Sequence, residues 1–468
     1  MAEFRHRRTA DLVAGAMSDE GARGGYGNAV PPTASWPSRR HGWWMMAVFF
    51  CAAILSYTDR FILSLLVDPL RADLAISDTQ VSLLQGLAFA LVYGFAGLPL
   101  GRIADLVPRR NVIIAGVLLW SAATVACGYA ASFGQLFAAR LVVGVGEAAL
   151  APAAVSMIAD YFPPARRGIA LSVFIAGMAI GGGAAIAIGG SLVGAATLGL
   201  FKALPVVGSL PPWRATLVLL GLPAVAIVAL LLTVREPPRQ RTPEAAGSGP
   251  VPLRAALRLL GSRAGVLVPL YLAVALLSAG DFSYQNWTPA LLSRCFGLSP
   301  LEIGRQLGLV AIVSGVGGTL LGGLTGDFGA RRRGEQARIT IAFGAILVGL
   351  GGSAIALAAN TTQVLLCFVT WTAMASMSES LGIAVIQAVV PNEVRGVGVA
   401  LTSLCNMLLG LALGTTLTAL LTDHVFRDPR AVGASMSAVV LPTALAAFAL
   451  LWRARSRRDP ALRAASRR

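Results

Sequence analysis

Continuous apolar stretches of about 20 residues recur from residue 43 to residue 452, parted by short polar segments. A helix of that length crosses the hydrocarbon core of a bilayer. The runs do not alternate and are too long for barrel strands, so they predict helices. The expected spans are 43–67, 79–103, 111–131, 135–158, 168–194 and 214–234, then 265–288, 303–326, 337–358, 362–388, 396–420 and 432–452. A polar stretch, Arg235 to Pro250, and a basic amphipathic segment to about residue 264 divide the two sets. The pattern predicts an all-α polytopic membrane protein, twelve transmembrane helices in two six-helix bundles. The expected organisation is an N-terminal tail 1–41, a first bundle 42–234, a linker 235–264, a second bundle 265–455 and a C-terminal tail 456–468. The first tail is rich in Gly, Pro and Arg; it predicts disorder and no cleavable leader.

Composition agrees. Of 468 residues, 56% are hydrophobic and 13% charged, too apolar for a soluble chain of this size. The net charge of +16 raises nucleic acid as a partner, but the distribution of the basic residues argues against it. With the N-terminus placed in the cytoplasm, 29 of the 38 Lys and Arg fall in cytoplasmic segments, seven fall outside, and two lie within spans. That bias predicts both termini cytoplasmic, and the expected location is the inner membrane of a bacterium. The three histidines are scattered and the five cysteines mostly lie in spans, so neither a metal site, a cofactor nor a disulfide framework is expected. With no nucleophile–base constellation either, the chain does not read as an enzyme.

The informative residues are the charges inside the spans. Asp59 and Arg60 lie in the first, and Arg140 and Glu147 in the fourth. A charge at the centre of a membrane helix costs roughly 3 kcal/mol on insertion scales and by default marks a substrate or ion pathway. Arg140 and Glu147, seven residues apart, share one side of their helix. Asp281, Gln285 and Glu379 in the second half, and Tyr57 in the first, are further cavity candidates. Gln85 and Asn406 are expected to hydrogen-bond between helices.

The halves repeat. Ser56 and Ser278, Asp59 and Asp281, and Asp105 and Asp327 are each 222 residues apart. Pro163-Pro-Ala-Arg-Arg-Gly168 answers Pro391-Asn-Glu-Val-Arg-Gly396 at an offset of 228. Shared offsets at matching places argue for two six-helix repeats. The fifth span is rich in glycine, which permits close helix packing at a seam.

The loop after the second span reads Gly101-Arg-Ile-Ala-Asp105-Leu-Val-Pro-Arg109-Arg110, and its partner Gly323-Leu-Thr-Gly-Asp327-Phe-Gly-Ala-Arg331. These resemble the signature loop of the major facilitator superfamily, with Pro108 where that family has Gly. Tyr57-Thr-Asp-Arg-Phe61, Leu83-Leu-Gln85, Leu119-Trp-Ser-Ala-Ala-Thr124 and Arg140-Leu-Val-Val-Gly-Val-Gly-Glu-Ala148 are similar to the Spinster branch, associated with lysophospholipids and sphingosine-1-phosphate.

The resemblance implies a proton-coupled secondary transporter working by alternating access. It assigns proton coupling to Asp59 and Glu147. Arg60 is expected to meet the phosphate head of a lipid-like anion, with Arg140, Tyr57, Asp281, Gln285 and Glu379 around it. It also implies a cytoplasmic latch drawn from Gly101, Asp105, Arg109, Arg110, Arg166, Arg167, Asp327, Arg331 and Arg395, with Asp105 pairing with Arg166 or Arg167. The partners expected are the bilayer, protons and one small or lipid solute, with the chain acting as a monomer. A proton-coupled carrier of a small organic anion or drug is the alternative. A non-transporting receptor or scaffold is more distant, since it has no need of charges in its spans.

Overall fold

The computed structural model describes residues 37–239, 252–391 and 394–456, leaving aside the side chains at 97, 98, 101, 102, 105 and 164. Nearly all of the expected N-terminal tail, the C-terminal tail, the middle of the linker, and the side chains of Gly101 and Asp105 therefore lie outside the described residues.

Twelve helices among the described residues are long and apolar enough to cross a membrane. They are α1 (Arg39–Leu65), α2 (from Asp78, through a π turn at Leu83–Leu87, on to Leu106), α3 (Arg109–Tyr129), α4 (Phe133–Tyr161), α5 (Pro164–Thr197) and α6 (Pro212–Thr233). The second half supplies α7 (Ala264–Phe296), α8 (Pro300–Arg333), α9 (Gln336–Leu357), α10 (Thr361–Val389), α11 (Arg395–Phe426) and α12 (Pro429–Arg455). The basic amphipathic segment of the linker is a short helix, Leu253–Gly261. An even number of crossings puts the start of α1 and the end of α12 on one face, called here the terminal face.

Each expected span is matched by one helix, but several helices outrun their apolar stretch. α5 and α8 each have 34 residues, about 50 Å of helix. Their extra turns carry charge, Arg166 and Arg167 on α5 and Arg331–Arg333 on α8. Hydropathy reports where lipid ends. Backbone hydrogen bonding carries the helix on into the headgroup layer.

Helix starts repeat between the halves as the landmarks do. Ser77 caps α2 and Ser299 caps α8, each in a reciprocal capping box, with Gln80 and Glu302 respectively. Ser132 caps α4, and Asn360 caps α10. The first pair is 222 residues apart and the second 228, the same two offsets as before.

The glycines of α5 seat it against α8. A Cβ on Gly190 would stand 2.3 Å from the carbonyl oxygen of Pro300, and one on Gly183 would stand 2.7 Å from that of Gly308. Only glycine allows such an approach. On the other flank α2 meets α11, where Gly86 faces Thr415 and Ala412. The π turn of α2 packs there on a second π turn, Asn406–Ala412 in α11. Further along α8 toward the terminal face, Gly315 borders open space, with nothing within 4 Å of a Cβ placed on it. The close contacts between the halves thus gather on the face away from the termini.

Candidate functional site

The two charged pairs of the first half come together. Asp59, Arg60, Arg140 and Glu147 are 2%, 3%, 1% and 1% exposed. Arg60 Nη2 lies 2.7 Å from Glu147 Oε2, with Nε at 3.3 Å. Ser56 Oγ donates to the same oxygen at 2.9 Å. The guanidinium of Arg60 is also stacked among aromatic rings, 4.3 Å from Tyr57, 4.1 Å from Phe89 and 5.1 Å from Tyr93. Asp59 Oδ2 accepts from Thr124 Oγ1 of α3 at 2.6 Å. Arg140 reaches the carbonyls of Asp59 and Arg60 at 3.5 Å, tying α4 to α1.

Two cations and two carboxylates balance in this core, yet one oxygen of each acid, Asp59 Oδ1 and Glu147 Oε1, has no hydrogen-bond partner. A buried acceptor left open costs about 1–3 kcal/mol. Binding a proton at either oxygen turns it into a donor and changes the pairing of the whole group. The arrangement can therefore store a proton and report it to α1, α3 and α4.

A cavity of about 170 Å³ lies between the halves, lined by Tyr57, Phe61, Gly182, Phe282, Gln285, Phe368 and Thr372 among others. It is smaller than the roughly 300–1,000 Å³ of enclosed ligand pockets, so a larger solute would extend beyond it. Tyr57 and Gln285 are among its lining residues. Asp281 lies just behind, one oxygen accepting from the Gln285 amide. Glu379 accepts from Ser278 Oγ at 2.8 Å.

Two expectations, for Arg60 and for Gln85 with Asn406, need correction, and two latch candidates find other partners. Arg60 does not offer its guanidinium to the cavity; Glu147 and three rings occupy it. Arg109, a latch candidate, is engaged within its own half. It binds Asp160 and Ser156 of α4, and Glu236 and the Pro237 carbonyl of the linker, all on its own side. Arg110 turns to the same linker, its amide on Glu236 at 2.9 Å and its side chain on the Val234 carbonyl. These residues brace the end of the first half through the carboxylates of α4 and the linker. Gln85 makes no side-chain hydrogen bond, and neither does Asn406 Oδ1, although both lie where α2 meets α11.

Of the other latch candidates, Arg167 donates to the Ala159 carbonyl at 2.7 Å, while Arg166 and Arg331 are exposed. Asp327 pairs with Arg338 at 2.9 Å. Arg395 lines a second, smaller cavity with Gln387 and Asn406.

Sequence reasoning missed the contacts that close the far face. Arg294, at the end of α7, lies 2.8 Å from Asp68 and 2.7 Å from Asp78, whose side chain is fully buried. Arg71 joins Asp78 at 3.2 Å. The Thr79 amide and hydroxyl both donate to Asp423 of α11 at 2.7 Å. All but the Arg71 pair run between the halves. No local motif marks such pairs; the one available signal was Arg294 as one of the few basic residues outside the segments expected to be cytoplasmic.

Comparison with known proteins agrees with the fold. The family model described as Major Facilitator Superfamily matches residues 49–415. An MFS-type efflux pump of Mycolicibacterium smegmatis is 29% identical over 425 residues, covering 90% of this chain and 94% of that one. Protein spinster of Drosophila melanogaster is 24% identical over 331 residues, covering 68% of this chain and 52% of the fly protein. A crystal structure of a bacterial homolog to the human lysosomal transporter Spinster, in an inward-facing and unoccupied conformation, superposes with a TM-score of 0.71 at 25% identity. The match covers 92% of this chain and 98% of that one. The chain belongs to the major facilitator superfamily, is a membrane transporter rather than an enzyme, and resembles the Spinster proteins within that family.

Proposed function

We propose that the chain is a proton-coupled secondary transporter of an amphipathic solute. It works by alternating access as a monomer, with both termini in the cytoplasm. The observation that carries this reading is the buried set Asp59, Arg60, Arg140 and Glu147, with an open oxygen on each acid. Permanent ion pairs that only join helices do not need open acceptors, whereas a proton carrier does. The set adjoins the cavity through Tyr57, which touches both Arg60 and the cavity space. Protonation and solute occupancy are thereby coupled through one ring.

An aromatic and apolar cavity wall with a few polar groups suits an amphipathic body. The kinship with an efflux pump and with Spinster proteins supports a lipid-like or drug-like solute. A second reading, a solute with an anionic head on Arg60, needs that arginine to leave Glu147 during the cycle.

The test is uptake into proteoliposomes with an imposed pH gradient and a panel of fluorescent lysophospholipids and lipophilic dyes. Glu147→Gln and Asp59→Asn should each abolish gradient-driven uptake while leaving exchange of at least one substrate measurable. Gradient-driven uptake at the wild-type rate by both variants would reject the coupling role.

A further inference from the structure

The second half contains the same acids without their arginines. Asp281 repeats Asp59, and the bond from Ser278 to Glu379 repeats the bond from Ser56 to Glu147. Glu379 lies one helical turn deeper than a strict offset of 228 would place a counterpart of Glu147, yet it accepts from the repeated serine. The position that answers Arg60 at 222 is Phe282, and the position that answers Arg140 at 228 is Phe368. Both phenylalanines line the central cavity.

No basic residue elsewhere makes up the difference. The second half has no Lys, Arg or His at 264–293, 306–330, 339–394 or 396–423. Neither Asp281 nor Glu379 has an ion pair among the described residues, and Asp281 lies near enough to act electrostatically on Glu379. Asp281 is only 8% exposed, and its Oδ1 has no hydrogen-bond partner. Thr372, on the cavity wall of the facing helix, stands against Asp281 and acts on it as a hydrogen-bonding group, although the two atoms lie outside ordinary hydrogen-bond geometry. The first half is therefore neutral at membrane depth, and the second offers negative charge beside an aromatic wall. A cation that brings its own apolar body suits both features, through the negative charge that Asp281 and Glu379 share and through the ring of Phe282.

We propose that Asp281 and Glu379 form the head-group site for a lipophilic organic cation, which takes the place that arginine holds in the first half. This rests on the transporter reading above and names its substrate class.

The test uses the full chain in detergent and two isosteric probes, tetraphenylphosphonium and tetraphenylborate. Tetraphenylphosphonium should bind saturably, and Asp281→Asn and Glu379→Gln should each weaken it at least tenfold. Unchanged affinity in both variants would overturn the proposal. Should the variants fail to fold, the wild-type protein still decides. Saturable binding of tetraphenylborate without tetraphenylphosphonium would move the head group to Arg60 and sink the cation site. The two readings fail separately. Loss of the cation site leaves the pH-driven uptake governed by Asp59 and Glu147 standing, and loss of proton coupling leaves tetraphenylphosphonium binding intact.

Discussion

Arg60 is held by two different forces, a carboxylate on one side and three aromatic faces on the other. Removing one partner of a buried ion pair typically costs about 3–5 kcal/mol, because the other charge is left unpaired, whereas replacing both partners by apolar groups is often neutral. Arg60→Leu and Glu147→Leu should each lower the thermal unfolding temperature clearly. The double variant should recover most of that loss and remain inactive in pH-driven transport. A double variant as unstable as the sum of the singles would show that the pair does not act as a unit. Stability and coupling thus separate at the residue scale, which single substitutions cannot achieve.

Among the elements, α5 and α8 set the closed face by the absence of side chains. A methyl group at Gly190 would meet the Pro300 carbonyl at 2.3 Å, and the opposing atom is backbone, which cannot rotate away. Overpacking of this kind costs about 1–3 kcal/mol. Gly190→Ala should therefore destabilise the state in which these helices are in contact and slow transport several-fold. Gly344→Ala on α9, where a Cβ meets nothing within 4 Å, should leave the rate near wild type. Equal rates for the two variants, compared at matched expression, would remove the seam from the mechanism. The facing π turns of α2 and α11 mark the other flank, where an extra residue per turn re-aims side chains.

At the scale of the whole molecule, Arg294 is the clasp of the closed face. It joins Asp68 and Asp78 of the first half to the end of α7, and it also donates to the Pro429 carbonyl at the start of α12. Breaking it leaves the fully buried Asp78 side chain with Arg71 alone. Arg294→Ala should widen the far face. Spin labels at Leu200 and Val425, both exposed and on opposite halves, should report a longer or broader distance distribution than in the parent protein. An unchanged distribution would show that the glycine seam suffices to hold the face shut.

The sequence by itself determined the number of helices, their order and the two-fold repeat, because a bilayer imposes length and hydropathy on every span locally. It also identified Asp59, Arg60, Arg140 and Glu147, since charge in an apolar run is costly wherever the run folds. It exposed Asp281 and Glu379, but not what surrounds them. Only the tertiary structure decided which partner each charge takes. Arg60 went to Glu147 and to rings on α2, and Arg109 went to α4 and the linker. Arg294 went to two acids more than 200 residues away. Such pairings depend on which helix faces are brought within about 3 Å, and no local pattern encodes that distance. The contrast between a neutral first half and an acidic second half lay in the sequence as bare residues. It acquired meaning once the serine–glutamate bonds aligned the halves and set two phenylalanines where the arginines would have been.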